Sequence, residues 1–75
     1  MQKIKLGKYQ HYKGDFYQVL NVARHSETGE DYVVYQALYD DPELGPKPLF
    51  VRPLSMFTET VSWQNSTVPR FKFIE

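Results

Sequence analysis

Short apolar runs broken by frequent turn residues set the pattern of this chain. Gly7, Lys13-Gly14, Thr28-Gly29, the proline-rich stretch 41–48, Pro53 and Val68-Pro69 punctuate it, and the segments between them have strand length. No segment sustains helical periodicity over three turns. The pattern predicts strands over about residues 6–12, 15–24, 31–39, 49–52 and 70–74, with Ser55-Met56-Phe57 suited to one 3₁₀ turn. Five short strands in one small domain need their edges protected, so the expected fold is all-β, a small SH3-like, partly open barrel formed by the whole chain as a single domain.

The longest hairpin turns within "ARHSETGEDYVVY", from Ala23 to Tyr35. A three-residue loop Glu27-Thr28-Gly29, with Gly29 left-handed, is a common connection for two such strands. It sets Ser26 against Glu30, His25 against Asp31, Ala23 against Val33, Asn21 against Tyr35, Val19 against Ala37 and Tyr17 against Tyr39. Gln18 and Gln36 interrupt the opposite face in mid-strand, so the Tyr17 face is expected to point inward. Successive strand residues point to opposite sides, which separates Ser26 from His25 and removes a serine–histidine nucleophile pair. A His25–Asp31 pair survives on that register, as a structural hydrogen bond or as a dyad with one imidazole tautomer held in place.

With 75 residues the chain has room for one modest core, burying only about 60% of the surface of its unfolded form. Five Phe, six Tyr and one Trp supply the bulk. The predicted core is Tyr17, Val19, Ala23, Val33, Tyr35, Ala37, Leu38, Val51, Met56, Phe57 and Phe71. Without cysteine, the fold rests on packing alone, as suits a cytoplasmic protein. Met1 to Leu6 alternate in polarity where a signal peptide has an apolar run, and no membrane-spanning segment is expected.

A zero net charge removes the broad electrostatic attraction on which nonspecific nucleic-acid binding depends. Lys3, Lys5, Lys8 and Lys13 nevertheless crowd the start without an acid, while seven acids face Arg24 alone between Asp15 and Gly45. The lysines suit either an anionic partner or a solvated first strand guarded against edge pairing.

The string resembles a known family, the bacterial DUF1653 domains. The matching words are "GKYQHYKGDFYQVL" from Gly7, "ARHSET" from Ala23, "VVYQALY" from Val33, "FVRPLSMF" from Phe50 and "VPRF" from Val68. The resemblance implies short proteins with an SH3-like barrel and no assigned activity. Phe50 stands where the family often has Trp, and Asn65 where it often has Gly; Asn tolerates the left-handed conformation and should keep that turn.

Candidate chemistry is sparse. Arg52 precedes Pro53 and Arg70 follows Pro69, and the stiffened backbone suits each to present a guanidinium at a fixed angle to a carboxylate or phosphate. Glu27, Asp31 and Glu59 are the internal alternatives as partners. Two histidines and no cysteine offer no metal-ligand spacing, and Asp40-Asp41-Glu43 lie in a proline-rich loop where charge is solvated. No glycine-rich phosphate loop occurs, and Asn65-Ser66-Thr67 matches a glycosylation sequon without an export signal. No metal and no cofactor are expected. The leading expectation is a non-enzymatic binding module that captures a peptide or small anionic ligand through His25, Tyr35, Tyr39, Arg52 and Arg70. A small enzyme using His25 and Asp31 with an arginine anion site comes second. Weak nucleic-acid binding comes last.

Overall fold

The structure is a computed structural model describing residues 4–75; Met1, Gln2 and Lys3, read above as part of a basic, non-apolar start, lie outside the described residues. The strands are β1 (Gly7–His11), β2 (Phe16–Arg24), β3 (Asp31–Ala37), β4 (Asp40–Asp41), β5 (Gly45–Pro46), β6 (Leu49–Pro53), β7 (Thr60–Trp63), β8 (Ser66–Pro69) and β9 (Phe71–Phe73), with one helical turn, α1 (Leu54–Phe57), after β6. Five of them form an antiparallel sheet in the order β6-β3-β2-β1-β9, and β4-β5 and β7-β8 are separate two-stranded ribbons. The fold is all-β. Its main sheet does not close, and the arrangement is compatible with a partly open barrel. Among the described residues no helix is long and apolar enough to cross a membrane.

All five expected strands are present. The two ribbons were not expected. The β7-β8 ribbon is joined by Gln64 and Asn65, both left-handed (φ 50 and 65), as a two-residue hairpin turn with positive φ at both positions requires. Asn65 therefore holds the turn assigned to it. In place of a 3₁₀ turn at 55–57, Leu54–Phe57 makes one α turn, closed by the Thr58 N–H donating to the Leu54 carbonyl at 3.1 Å.

The hairpin register differs from the expected one. Near the turn Arg24, not His25, lies opposite Asp31, and Ala23 faces Tyr32. The cause is local. The Gly29 N–H donates to the His25 carbonyl, the His25 N–H to Glu30, and His25 Nδ1 accepts from the Glu27 and Thr28 amides at 3.2 and 3.3 Å. The imidazole thus satisfies loose turn amides, drawing His25 into the last ladder position and lengthening the loop to four residues. Gly29 is left-handed as expected (φ 75). Further along, a bulge between Val19 and Asn21 shifts the pairing again, so Val19 meets Tyr35 and Tyr17 meets Ala37. By inserting one residue it keeps both Val19 and Val22 on the inner face.

On that face Tyr9, Val19, Val33, Tyr35, Phe57 and Phe71 make the buried cluster, with Tyr17, Phe50 and Leu54 packed against it. Ala37 is also buried. Four expected core residues are exposed instead. Ala23 is displaced by the register shift, Leu38 follows the end of β3, Met56 points away from the sheet, and Val51 lies on the outer face of an edge strand. Nor is β1 an edge: it runs between β2 and β9. Its neighbourhood uses lysines to cover rings, with Lys8 Nζ 4.7 Å above Phe16 and Lys5 Nζ 5.0 Å above Phe73.

Candidate functional site

Register and alternation decide which polar side chains reach the inner face. In β6, Phe50 lies opposite Tyr35 and Arg52 opposite Val33, so Phe50 and Arg52 share the core face. In β1, Tyr9 pairs with Phe73 and His11 with Phe71, which brings His11 to the same side. Arg52 Nε donates to the Tyr35 hydroxyl at 3.3 Å, and its guanidinium carbon sits 5.7 Å from the centre of the Phe71 ring. Its two terminal nitrogens make no hydrogen bond to any described residue.

His11 packs its ring 5.0 Å from Phe71, 4.5 Å from Tyr12 and 6.4 Å from Tyr17. The Lys13 N–H donates to its Nδ1 at 3.2 Å, so the neutral ring keeps its proton on Nε2. Partial burial holds the pKa of His11 below the usual 6.5, helped by the positive charges of Arg52, Arg70 and Lys13 and opposed by Asp15. The unfolded chain therefore takes up this proton first as pH falls through about 6.5, and the folded state loses stability until its own, lower pKa is passed. The thermal midpoint is expected to decline from about pH 7.5 to about pH 5.5 and to flatten in His11→Asn, whose Oδ1 keeps the bond to the Lys13 amide. An equal slope in both proteins would assign the effect to other groups.

The remaining predicted residues lie apart from one another in their bonding. Arg70 is tied to Glu59 twice, through a 2.7 Å contact from Nη2 to Oε1 and a 3.0 Å contact from its N–H to the Glu59 carbonyl. Its Nε is buried without a partner. Tyr39 shares a 2.9 Å hydroxyl–hydroxyl hydrogen bond with Tyr17; burial, followed by that bond, pushes the Tyr17 pKa far up. His25 is exposed at the hairpin end, where its hydrogen bonds and its 5.9 Å ring contact with Tyr32 stay within the hairpin. Asp31 accepts from Arg24 Nε at 3.1 Å. The structure thus joins Tyr35 with Arg52, leaves His25 in its own turn, and adds His11. The signal for His11 was present in alternation, since it shares parity with Tyr9.

On its other side His11 borders a cleft of about 400 Å³ with Tyr12, Trp63, Val68, Pro69 and Lys72. Tyr12 and Trp63 meet edge to face at 5.1 Å there. Trp63 had no role in the sequence reading because the strand carrying it was not anticipated.

Residues 7–73 match the family described as "Protein of unknown function (DUF1653)". The chain is also similar to a protein of that family from Bordetella bronchiseptica known from a crystal structure. The two are 42% identical, with a TM-score of 0.87 and coverage of 99% of this chain and 91% of the other. No curated protein matches the chain.

Proposed function

Because the chain belongs to the DUF1653 family, whose description assigns no function, we propose a function from the geometry: a non-enzymatic binding module that holds an anionic group of a peptide or small ligand at Arg52. One observation carries this reading. Arg52 is fixed at Nε by Tyr35 and backed by Phe71, while both terminal nitrogens are unbonded, so a carboxylate or phosphate meets a preorganised fork. Arg52 and Arg70 both act to lower the His11 pKa, so positive potential gathers beside the fork while His11 itself stays neutral. Tyr39 braces Tyr17 behind the site, and His25 leaves it. We also read the open sheet and its one-sided core as SH3-like, the cysteine-free composition as suited to the cytoplasm, and the Bordetella relative as pointing to a bacterial source.

An NMR titration with acidic peptides, nucleotides and short oligonucleotides at about pH 6 and about pH 7.5 tests the reading. Shifts are expected at His11, Tyr35 and Arg52. Binding should strengthen at the lower pH, because a bound anion raises the depressed His11 pKa and favours proton uptake. Arg52→Met should weaken binding by about 1.5–3 kcal/mol with the fold retained. Shifts confined to Lys5, Lys8 and Lys13 and seen only with oligonucleotides would establish the nucleic-acid reading instead. Chemical conversion of a ligand that is lost in His25→Ala would establish the enzyme.

A further inference from the structure

We propose that the free edge of β6 receives a short extended peptide as an added strand, hydrogen-bonded to Leu49 and Val51 and presenting an acidic side chain to Arg52. The inference rests on the anion reading of Arg52 given above.

The phase of the β3-β6 ladder carries the argument. The Ala37 N–H donates to the Pro48 carbonyl at 2.9 Å, and the register continues as Gln36 with Leu49, Tyr35 with Phe50, Val34 with Val51 and Val33 with Arg52. Antiparallel ladders alternate bonded and non-bonded pairs, so Phe50 and Arg52 direct their backbone groups to β3. Leu49 and Val51 direct theirs away from it. β6 ends the sheet, and among the described residues none bonds to Leu49 or Val51 on that side. Two N–H groups and two carbonyls therefore form an open row.

The boundaries of this row define its occupant. Pro53 has the same ladder phase as Val51 but no N–H, and at the other end Lys47, next in that phase, already spends its N–H on the Tyr39 carbonyl and its carbonyl on Gln36 Nε2. A row so short and bracketed resists pairing with a long flat strand or with another copy of the same edge, the usual hazard of sheet edges. It fits a few residues of extended peptide. The side chains specify the rest. Leu49 and Val51 are 62% and 63% exposed on the outer face, so alternate peptide residues on that side should be apolar or β-branched. The intervening residues fall beside Phe50 and Arg52 on the inner face. There the unbonded guanidinium nitrogens are complementary to a carboxylate, and β6 itself holds no acid.

The test uses a capped hexapeptide alternating threonine and valine with one central glutamate. Companion peptides carry glutamine at that position or backbone N-methyl groups on one or the other alternate set of residues. Titration into the full chain should slow amide exchange at Leu49 and Val51. N-methylation of one alternate set should weaken binding by about tenfold or more while the other set is tolerated, since only one set of peptide N–H groups can face β6. Val51→Pro should weaken binding by a similar factor, and it should fold because the N–H it removes faces away from β3. Glutamine in place of glutamate, or Arg52→Met, should again cost about tenfold or more. Binding that needs the glutamate and Arg52 but ignores both methylation patterns and Val51→Pro would overturn the added strand and leave the anion site standing. Binding that follows methylation but ignores glutamate and Arg52 would overturn the anion reading and with it the acidic specificity. Absence of binding by every peptide would overturn the inference.

Discussion

Phe71→Ala is expected to destabilise the domain by about 3–5 kcal/mol, the cost of removing a buried Phe from a core that cannot collapse around the space. Phe71 is only 6% exposed and stacks on Phe57 with ring centres 4.2 Å apart and planes 5° from parallel. Tyr17, Tyr35 and His11 meet it edge-on at 5.6, 5.5 and 5.0 Å. It therefore joins β9 to the rings of β1, β2, β3 and α1, and β9 has only three residues with which to compensate. A chain of this length holds roughly 4–11 kcal/mol in total, so the loss removes much or all of it. The thermal midpoint should fall by at least about 12 °C, and an unchanged midpoint would refute the assignment of Phe71 as the hub. The same substitution takes away the ring beneath Arg52. Anion binding should therefore weaken in whatever fraction stays folded.

The strands were legible because punctuation and strand-length apolar runs coincide, and the inner face was legible wherever strict alternation holds. In β3, Val33, Tyr35 and Ala37 were all expected inside and are. Alternation failed where something other than side-chain polarity sets the register. His25 accepts two turn amides through Nδ1, a role usually associated with Asn or Asp, and with the backbone bonds that close the four-residue loop this moves the partner of Asp31 from His25 to Arg24. The bulge after Val19 then reverses the parity of β2, which is why Ala23 lies outside and Val22 inside. Tyr9 was missed although it is 6% exposed, because the surrounding lysines made β1 read as a solvated edge. Its hydroxyl instead donates to the Lys5 carbonyl at 2.7 Å while its ring packs on Phe57 and Phe73. Of the candidate site, Arg52 and Tyr35 were legible as residue types, but their contact depends on which face of β6 is inward, and that follows from a ladder phase no local pattern reports. Val51 illustrates the same limit: its apolar character suggested core, whereas its place on the outer face of the last strand makes it surface.

Gly7→Ala should cost about 2–6 kcal/mol, and comparison with Gly14→Ala should show why. Both glycines have backbone angles that side chains rarely adopt, φ +135 at Gly7 and +115 at Gly14, so each substitution carries about 1–3 kcal/mol of strain. Their surroundings differ. A Cβ on Gly14 meets nothing within 4 Å, whereas one on Gly7 meets the Glu75 carbonyl oxygen at 2.5 Å and the Phe73 ring at 3.2 Å. Overpacking of that kind adds about 1–3 kcal/mol. The Glu75 oxygen has little freedom to yield, because it accepts the Lys8 N–H at 2.9 Å and the next bond along, from Ile74 N–H to the Lys8 carbonyl, is 2.8 Å. Moving it away from a methyl at position 7 breaks the bonds that extend the β1-β9 pairing beyond Phe73. Urea midpoints should therefore order the proteins as wild type, then Gly14→Ala, then Gly7→Ala, with amide exchange at Lys8 accelerated in Gly7→Ala alone. If the two variants lose equal stability and Lys8 stays protected in both, the cost is backbone strain only, and the close approach of Gly7 to Glu75 contributes nothing to holding β9 in the sheet.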